Sequence, residues 1–214
     1  MLDYGKKTYI MGILNVTPDS FSDGGDYTNI DIAVNHAKEM IELGADMIDL
    51  GGESTRPGHK FVSAEEEISR IVPVIKRLKE EINVPISIDT YKSEVAEEAL
   101  KLGVDMVNDV WGLTYDGKMA DVVAKYDGEV CIMHNQEGTE YDKDIMEAIK
   151  EFLQNSIDMA LKAGVKKEKI VLDPGIGFGK TYEQNIEVLE RLGELRDLGY
   201  PVLLGTSRKS VLGK

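Results

Sequence analysis

Seven apolar strand segments, each followed by a helical or loop segment, predict an α/β fold of the TIM (β/α)8 barrel type. Three observations carry this prediction. The strands are almost continuously apolar, as parallel strands covered on both faces must be. Most of the helix patterns open on a capping residue or stop at a glycine. Polar residues recur where the strands end, the side on which such folds bind ligands. A doubly wound open sheet stays open as the alternative, because right-handed crossovers serve both architectures.

In chain order, Tyr9 to Leu14 is strand one, and Asn15 to Gly25 a loop dense in turn formers. Ala33, Ala37, Met40 and Ile41 give a helix from Asp31 to Leu43, stopped by Gly44. Met47 to Leu50 is strand two. A glycine-rich, charged loop from Gly51 to Gly58 leads to Ser63 and Glu66, a capping box for a helix to about Ile82. Pro85 to Asp89 is strand three, with a helix over Ser93 to Leu102. Asp105 to Val110 is strand four, followed by a short helix over Met119 to Tyr126. Glu129 to His134 is strand five, and Asp144 to Ala163 the longest helix. Ile170 to Asp173 is strand six; Thr181 and Gln184 form a second capping box before a helix to about Leu198. Pro201 to Gly205 is strand seven. The chain stops at Lys214, where a seventh helix should start. The expectation is one barrel domain over 1–214, truncated after strand seven, with an unpaired strand edge there.

Bulk properties narrow the function classes. With 214 residues and 42% apolar content the chain can bury a substantial core. A formal charge of −14 with no compensating basic stripe argues against nucleic acid. The N-terminus lacks a signal core and no run reaches about 18 apolar residues, so no membrane partner and a cytoplasmic location are expected. Cys131, alone in an apolar run, reads as core.

Asp173-Pro-Gly-Ile-Gly-Phe-Gly-Lys180-Thr181 tempts a P-loop reading, but Pro174 stands where the pattern wants its first glycine. The strand-end residues Asn15, Asp49, Asp89, Asn108, Asp109, His134 and Asp173, with Ser207, Arg208 and Lys209 after strand seven, instead indicate a polar pocket above apolar strands. Singly, each has an alternative as a helix cap or loop anchor. His134 reads as a hydrogen-bonded histidine rather than a ligand, and His36 and His59 support no metal triad. Ser207 lacks a nucleophile elbow. Met146 and Met159 read as core, and Lys180 is left without a role.

The blocks Gly12-Ile-Leu-Asn15 through Phe21 to Gly25, Asp49-Leu-Gly-Gly-Glu-Ser-Thr55-Arg56-Pro57-Gly, Ser87-Ile-Asp89-Thr, Asn108-Asp109-Val, Asp173-Pro-Gly-Ile-Gly-Phe178-Gly-Lys and Ser207-Arg-Lys209-Ser resemble the dihydropteroate synthase family, in order, from near Ile10 to the chain end. The resemblance implies a transferase of folate biosynthesis that joins 6-hydroxymethyl-7,8-dihydropterin diphosphate to p-aminobenzoate, with sulfonamides competing for the latter. It implies that Asp89, Asn108, Asp173 and Lys209 bind the pterin edge, with Met133, Phe178 and Gly205 lining its faces. Asp89, Lys209 and Asn15 are the implied catalytic residues. Asn15 is implied as the Mg2+ and diphosphate contact, with Arg56 also on diphosphate. Phe21, Thr55, Arg56, Pro57 and Ser207 are implied for p-aminobenzoate. Family members also have an eighth strand with a basic and histidine pair, and usually form homodimers. Two alternatives stay open: a methyltetrahydrofolate:corrinoid protein methyltransferase-like barrel, and a non-catalytic barrel fragment.

Overall fold

Alternating apolar runs and capped helices form the predicted β-then-α units in a computed structural model, which describes residues 2–16, 26–53, 61–207 and 209. The chain divides into two compact units, Met1–Asn108 and Asp109–Lys214.

The first unit runs β1 (Met11–Asn15), α1 (Asp26–Glu42), β2 (Met47–Gly51), α2 (Ala64–Glu81), β3 (Ile86–Asp89), α3 (Ser93–Lys101) and β4 (Met106–Asp109), whose last residue opens the second unit. Its strands pair in parallel in sequence order. Ile48, Leu50, Ile86, Ile88 and Val107 are wholly buried, which is why these strands read as unbroken apolar runs. The helices cover them with matched stripes. Ala33 and Ala37 are buried one turn apart on α1, as are Ile71, Ile75 and Leu78 on α2. Helix α1 starts at Asp26 rather than Asp31, because its first turn carries no apolar periodicity to announce it. Ser63 caps α2 by accepting the Glu66 amide, but Glu66 turns its carboxylate to Arg70, so only half of the expected capping box forms.

The second unit runs α4 (Met119–Lys125), β5 (Glu129–Met133), α5 (Ile145–Ala163), β6 (Ile170–Asp173) and α6 (Tyr182–Glu190). Strands β5 and β6 are parallel. Asp144 caps α5 through the Met146 and Glu147 amides, and Gly164 ends it at φ 100°. Thr181 and Gln184 form the expected reciprocal capping box on α6.

Two further expectations are corrected in this unit. The helix predicted to continue to about Leu198 ends at Glu190, and Leu192–Leu198 is a 3-10 helix. Gly193 is the physical reason, since glycine weakens a helix interior and short 3-10 segments take over at helix ends. Strand seven reduces to a parallel bridge at Val202: Pro201 O accepts the Leu172 amide at 2.9 Å, and Leu203 donates to Leu172 O at 2.8 Å.

Candidate functional site

Parallel register places three sequence-predicted residues, Asn15, Asp89 and Asn108, in one row of the first unit together with Gly51. Asn15, Gly51, Asp89 and Asn108 are successive partners across β1, β2, β3 and β4. Side chains alternate along a strand, so this row shares its face with the row two residues earlier: Ile13, Asp49, Ser87 and Met106. Gly51 lacks the side chain that would fill the upper row. A Cβ there would sit 3.2 Å from Asn15 Oδ1 and 3.7 Å from Asp89 Oδ2. The glycine therefore leaves open room beside an amide oxygen and a carboxylate.

Asp49, in the lower row, organises the upper one. Its Oδ2 accepts a hydrogen bond from Asn108 Nδ2 at 3.0 Å, which commits one edge of that amide and fixes its orientation. Burial raises the Asp49 pKa, and the neighbouring Ser87 hydroxyl and Asn108 amide pull against it. A second buried group lies where β2 ends. Lys92 Nζ, at the N-cap of α3, contacts Glu53 and also Glu67 at 2.6 Å, while Tyr91 donates to Glu53 and the Val62 amide donates to Glu53 Oε1 at 3.2 Å. Burial raises the Glu67 pKa against the pull of Lys92.

In the second unit the sequence-predicted residues gather around the end of β6. Asp173 is buried and its Oδ1 accepts the Gly175 amide at 2.7 Å. Burial raises its pKa to about 6, opposed by that amide and by Lys209 and Lys180. Met133 is its register partner on β5. A Cβ on Gly205 would lie 3.5 Å from Asp173 Oδ2, so that glycine keeps the second carboxylate oxygen approachable. Lys209 Nζ sits 4.3 Å from the Phe178 ring centroid and donates to Ile176 O. Pterin-type chemistry would use such a set: carboxylate acceptors, a cation, and apolar faces.

Asp109 is buried at the end of β4 and accepts the Trp111 and Leu113 amides at 2.8 and 2.7 Å. It anchors a turn in which Leu113 takes φ 70°, rather than facing a ligand, and burial raises its pKa to about 6. His134 is hydrogen-bonded, as expected, with Lys180 Nζ 2.9 Å from its Nδ1. Burial and Lys180 hold the His134 pKa down to about 3. Among the described residues, no group of three or more His, Cys, Asp or Glu is placed to hold a metal. Ser207 is exposed. Phe21, Thr55, Arg56, Pro57 and Arg208 lie outside the described residues.

Sequence reasoning missed the Lys92 group and the tie from Asp49 to Asn108. Neither has a spacing signal, since the partners stand 25, 39 and 59 residues apart. Among the described residues, no helix is long and apolar enough to cross a membrane.

Known proteins resemble this chain in sequence and fold. A family model described as "Pterin binding enzyme" matches residues 11–214. The dihydropteroate synthase of Clostridium beijerinckii is 60% identical over 209 residues, covering 98% of this chain and 77% of that protein. The solved dihydropteroate synthase of Clostridium difficile, determined in the presence of pteroic acid, superposes with a TM-score of 0.97 at 74% identity over 100% of this chain and 81% of that one. The Xanthomonas albilineans enzyme with 4-aminobenzoic acid gives 0.91 at 43% identity, covering 97% and 76%.

Proposed function

The chain belongs to the dihydropteroate synthases, pterin-binding enzymes of the (β/α)8 barrel type, and on that premise we propose how its residues divide the work. The reaction joins 6-hydroxymethyl-7,8-dihydropterin diphosphate to p-aminobenzoate, giving 7,8-dihydropteroate and diphosphate in folate biosynthesis. Identity of 60% to a dihydropteroate synthase sets aside the corrinoid methyltransferase alternative.

The observation that supports this division best is the row Asn15, Gly51, Asp89, Asn108, with its amide held by Asp49. Breaking the C–O bond to diphosphate leaves a methylene cation delocalised into the pterin. The aromatic amine attacks that carbon and then loses a proton. No protein nucleophile is needed, so fixed charge must do the catalysis. Asp89 stabilises the developing cation. Asn108 and Asp173 take the pterin's hydrogen-bonding edge, Lys209 its carbonyl and ring-nitrogen side, and Met133, Phe178 and Gly205 its faces. Phe21, Thr55, Arg56, Pro57 and Ser207 serve p-aminobenzoate, and Arg56 also serves diphosphate.

Mg2+ belongs to the proposal. The Asn15 amide oxygen is a hard donor beside the side-chain-free Gly51, and an ion that keeps its waters and substrate phosphates needs few protein oxygens. When bound, it neutralises charge on the leaving diphosphate. A cytoplasmic location and a homodimer complete the proposal, carried over from the family.

The test is product formation. Incubation with the pterin diphosphate, p-aminobenzoate and Mg2+ should release dihydropteroate and diphosphate in equal amounts. Asp173→Asn should lower kcat/KM on the order of 10²-fold, the scale of a lost charge-assisted hydrogen bond. No product above a protein-free control would refute the assignment.

A further inference from the structure

Lys180 is the one charged residue of the glycine-rich segment after β6 that the reaction leaves unused. It is 9% exposed, unusual for a lysine, and its ammonium is fully engaged. Nζ lies 2.9 Å from Gly175 O, 3.0 Å from Phe178 O and 2.9 Å from His134 Nδ1. An ammonium has three N–H donors, so these three acceptors satisfy it, and His134 must then carry its proton on Nε2. A lysine so committed inside the protein has no donor left for a substrate.

We infer that Lys180 is a positioning residue for pterin recognition: its ammonium folds the segment 174–179 so that Asp173 and Phe178 face the ligand. This rests on the reading that those two residues serve the pterin.

Three further observations support it. First, the segment lies directly on the chain after β5. A Cβ on Gly175 would come 1.9 Å from His134 O, and one on Gly179 2.8 Å from Gln136 O, both at positive φ. Second, the Gly175 and Phe178 carbonyls both turn toward the buried ammonium: Gly175 O also accepts the Phe178 amide at 3.1 Å, and Lys180 ties it to Phe178 O. Third, the contacts form a closed circuit through the reading residue. The His134 amide donates to Asp173 O at 2.9 Å, Asp173 Oδ1 accepts the Gly175 amide, and Gly175 O and the His134 ring both meet Lys180. The His134 ring is itself held, edge-on to Phe152 at 5.0 Å and stacked with Tyr141 at 6.1 Å. Releasing Lys180 frees the loop on which Phe178 stands and the amide that orients Asp173. In a P-loop the corresponding lysine reaches out to phosphates, whereas here it reaches back.

The test uses the full chain with Mg2+. Lys180→Met should raise the Kd for the pterin diphosphate, measured by fluorescence without turnover, and its KM, each about tenfold or more. The KM for p-aminobenzoate should stay within twofold. Amide exchange should accelerate at 174–179 and not across α5. Unchanged pterin affinity in folded Lys180→Met would overturn the inference. Should that variant not fold, His134→Phe decides, since it removes one acceptor but keeps a ring between Tyr141 and Phe152. A raised pterin Kd supports the inference, and an unchanged one overturns it. If the unaltered chain binds no pterin, the reading of Asp173 fails, and exchange at 174–179 alone decides whether Lys180 shapes the loop.

Discussion

Asp173 holds its proton in a pH range where exposed aspartates have lost theirs. Its pKa is raised from 3.8 to about 6, chiefly by burial. Two opposite consequences follow. A raised folded-state pKa contributes stability that is present below the usual value near 3.8 and is lost as pH rises through about 6. Pterin binding runs the other way, because only the carboxylate can accept on both oxygens. Below about pH 6 the Kd for pterin should therefore rise, by up to tenfold per pH unit. Titration of that Kd between pH 5 and 8 checks it, with Asp173→Asn as the flat reference. A wild-type profile level down to pH 5 would contradict the assignment. The strand-end placement of Asp89, Asn108 and Asp173 was legible in the sequence, because each lies at or next to the close of an apolar run. Lys180 was not. Two of its acceptors are backbone carbonyls made available by glycine conformations, and the third is a side chain 46 residues away.

At the scale of elements, the Glu53, Lys92 and Glu67 group joins the end of β2, the first turns of α2 and the start of α3. All three side chains are at most 5% exposed. A buried ion group of this kind gives little net stability over an apolar replacement, but removing one partner strands the others. Lys92→Met leaves two buried carboxylates facing each other and should cost about 3–5 kcal/mol in urea unfolding. The deficit should shrink at acidic pH, as Glu67, whose pKa burial already raises, takes up a proton. A loss below about 1 kcal/mol would indicate that water already reaches the group. Strand and helix order was legible throughout, since apolar periodicity reports burial and caps report helix starts. Element ends were less so. The break before Leu192 turns on the single Gly193, and the reduction of strand seven to a bridge depends on backbone pairing, which composition does not encode.

For the molecule as a whole, the formal charge of −14 matters to an anionic substrate. Repulsion between like-charged bodies slows encounter and is screened over about 10 Å at 0.1 M salt. At fixed Mg2+, kcat/KM for the pterin diphosphate should rise as ionic strength goes from about 0.01 to 0.15 M, while the effect of salt on singly charged p-aminobenzoate stays smaller. A fall with salt would instead point to steering by a local basic patch that outweighs the overall charge.

The row from Asn15 to Asn108 has one more implication. Hydrogen-bonded strands are held about 4.8 Å apart whatever their side chains, so the sheet acts as a ruler with one mark per strand. Gly51 is a blank mark on it. Point substitutions at these positions change what is written at a mark without moving the marks. A side chain at position 51 would fill the blank between the Asn15 and Asp89 oxygens, by one methyl group for alanine.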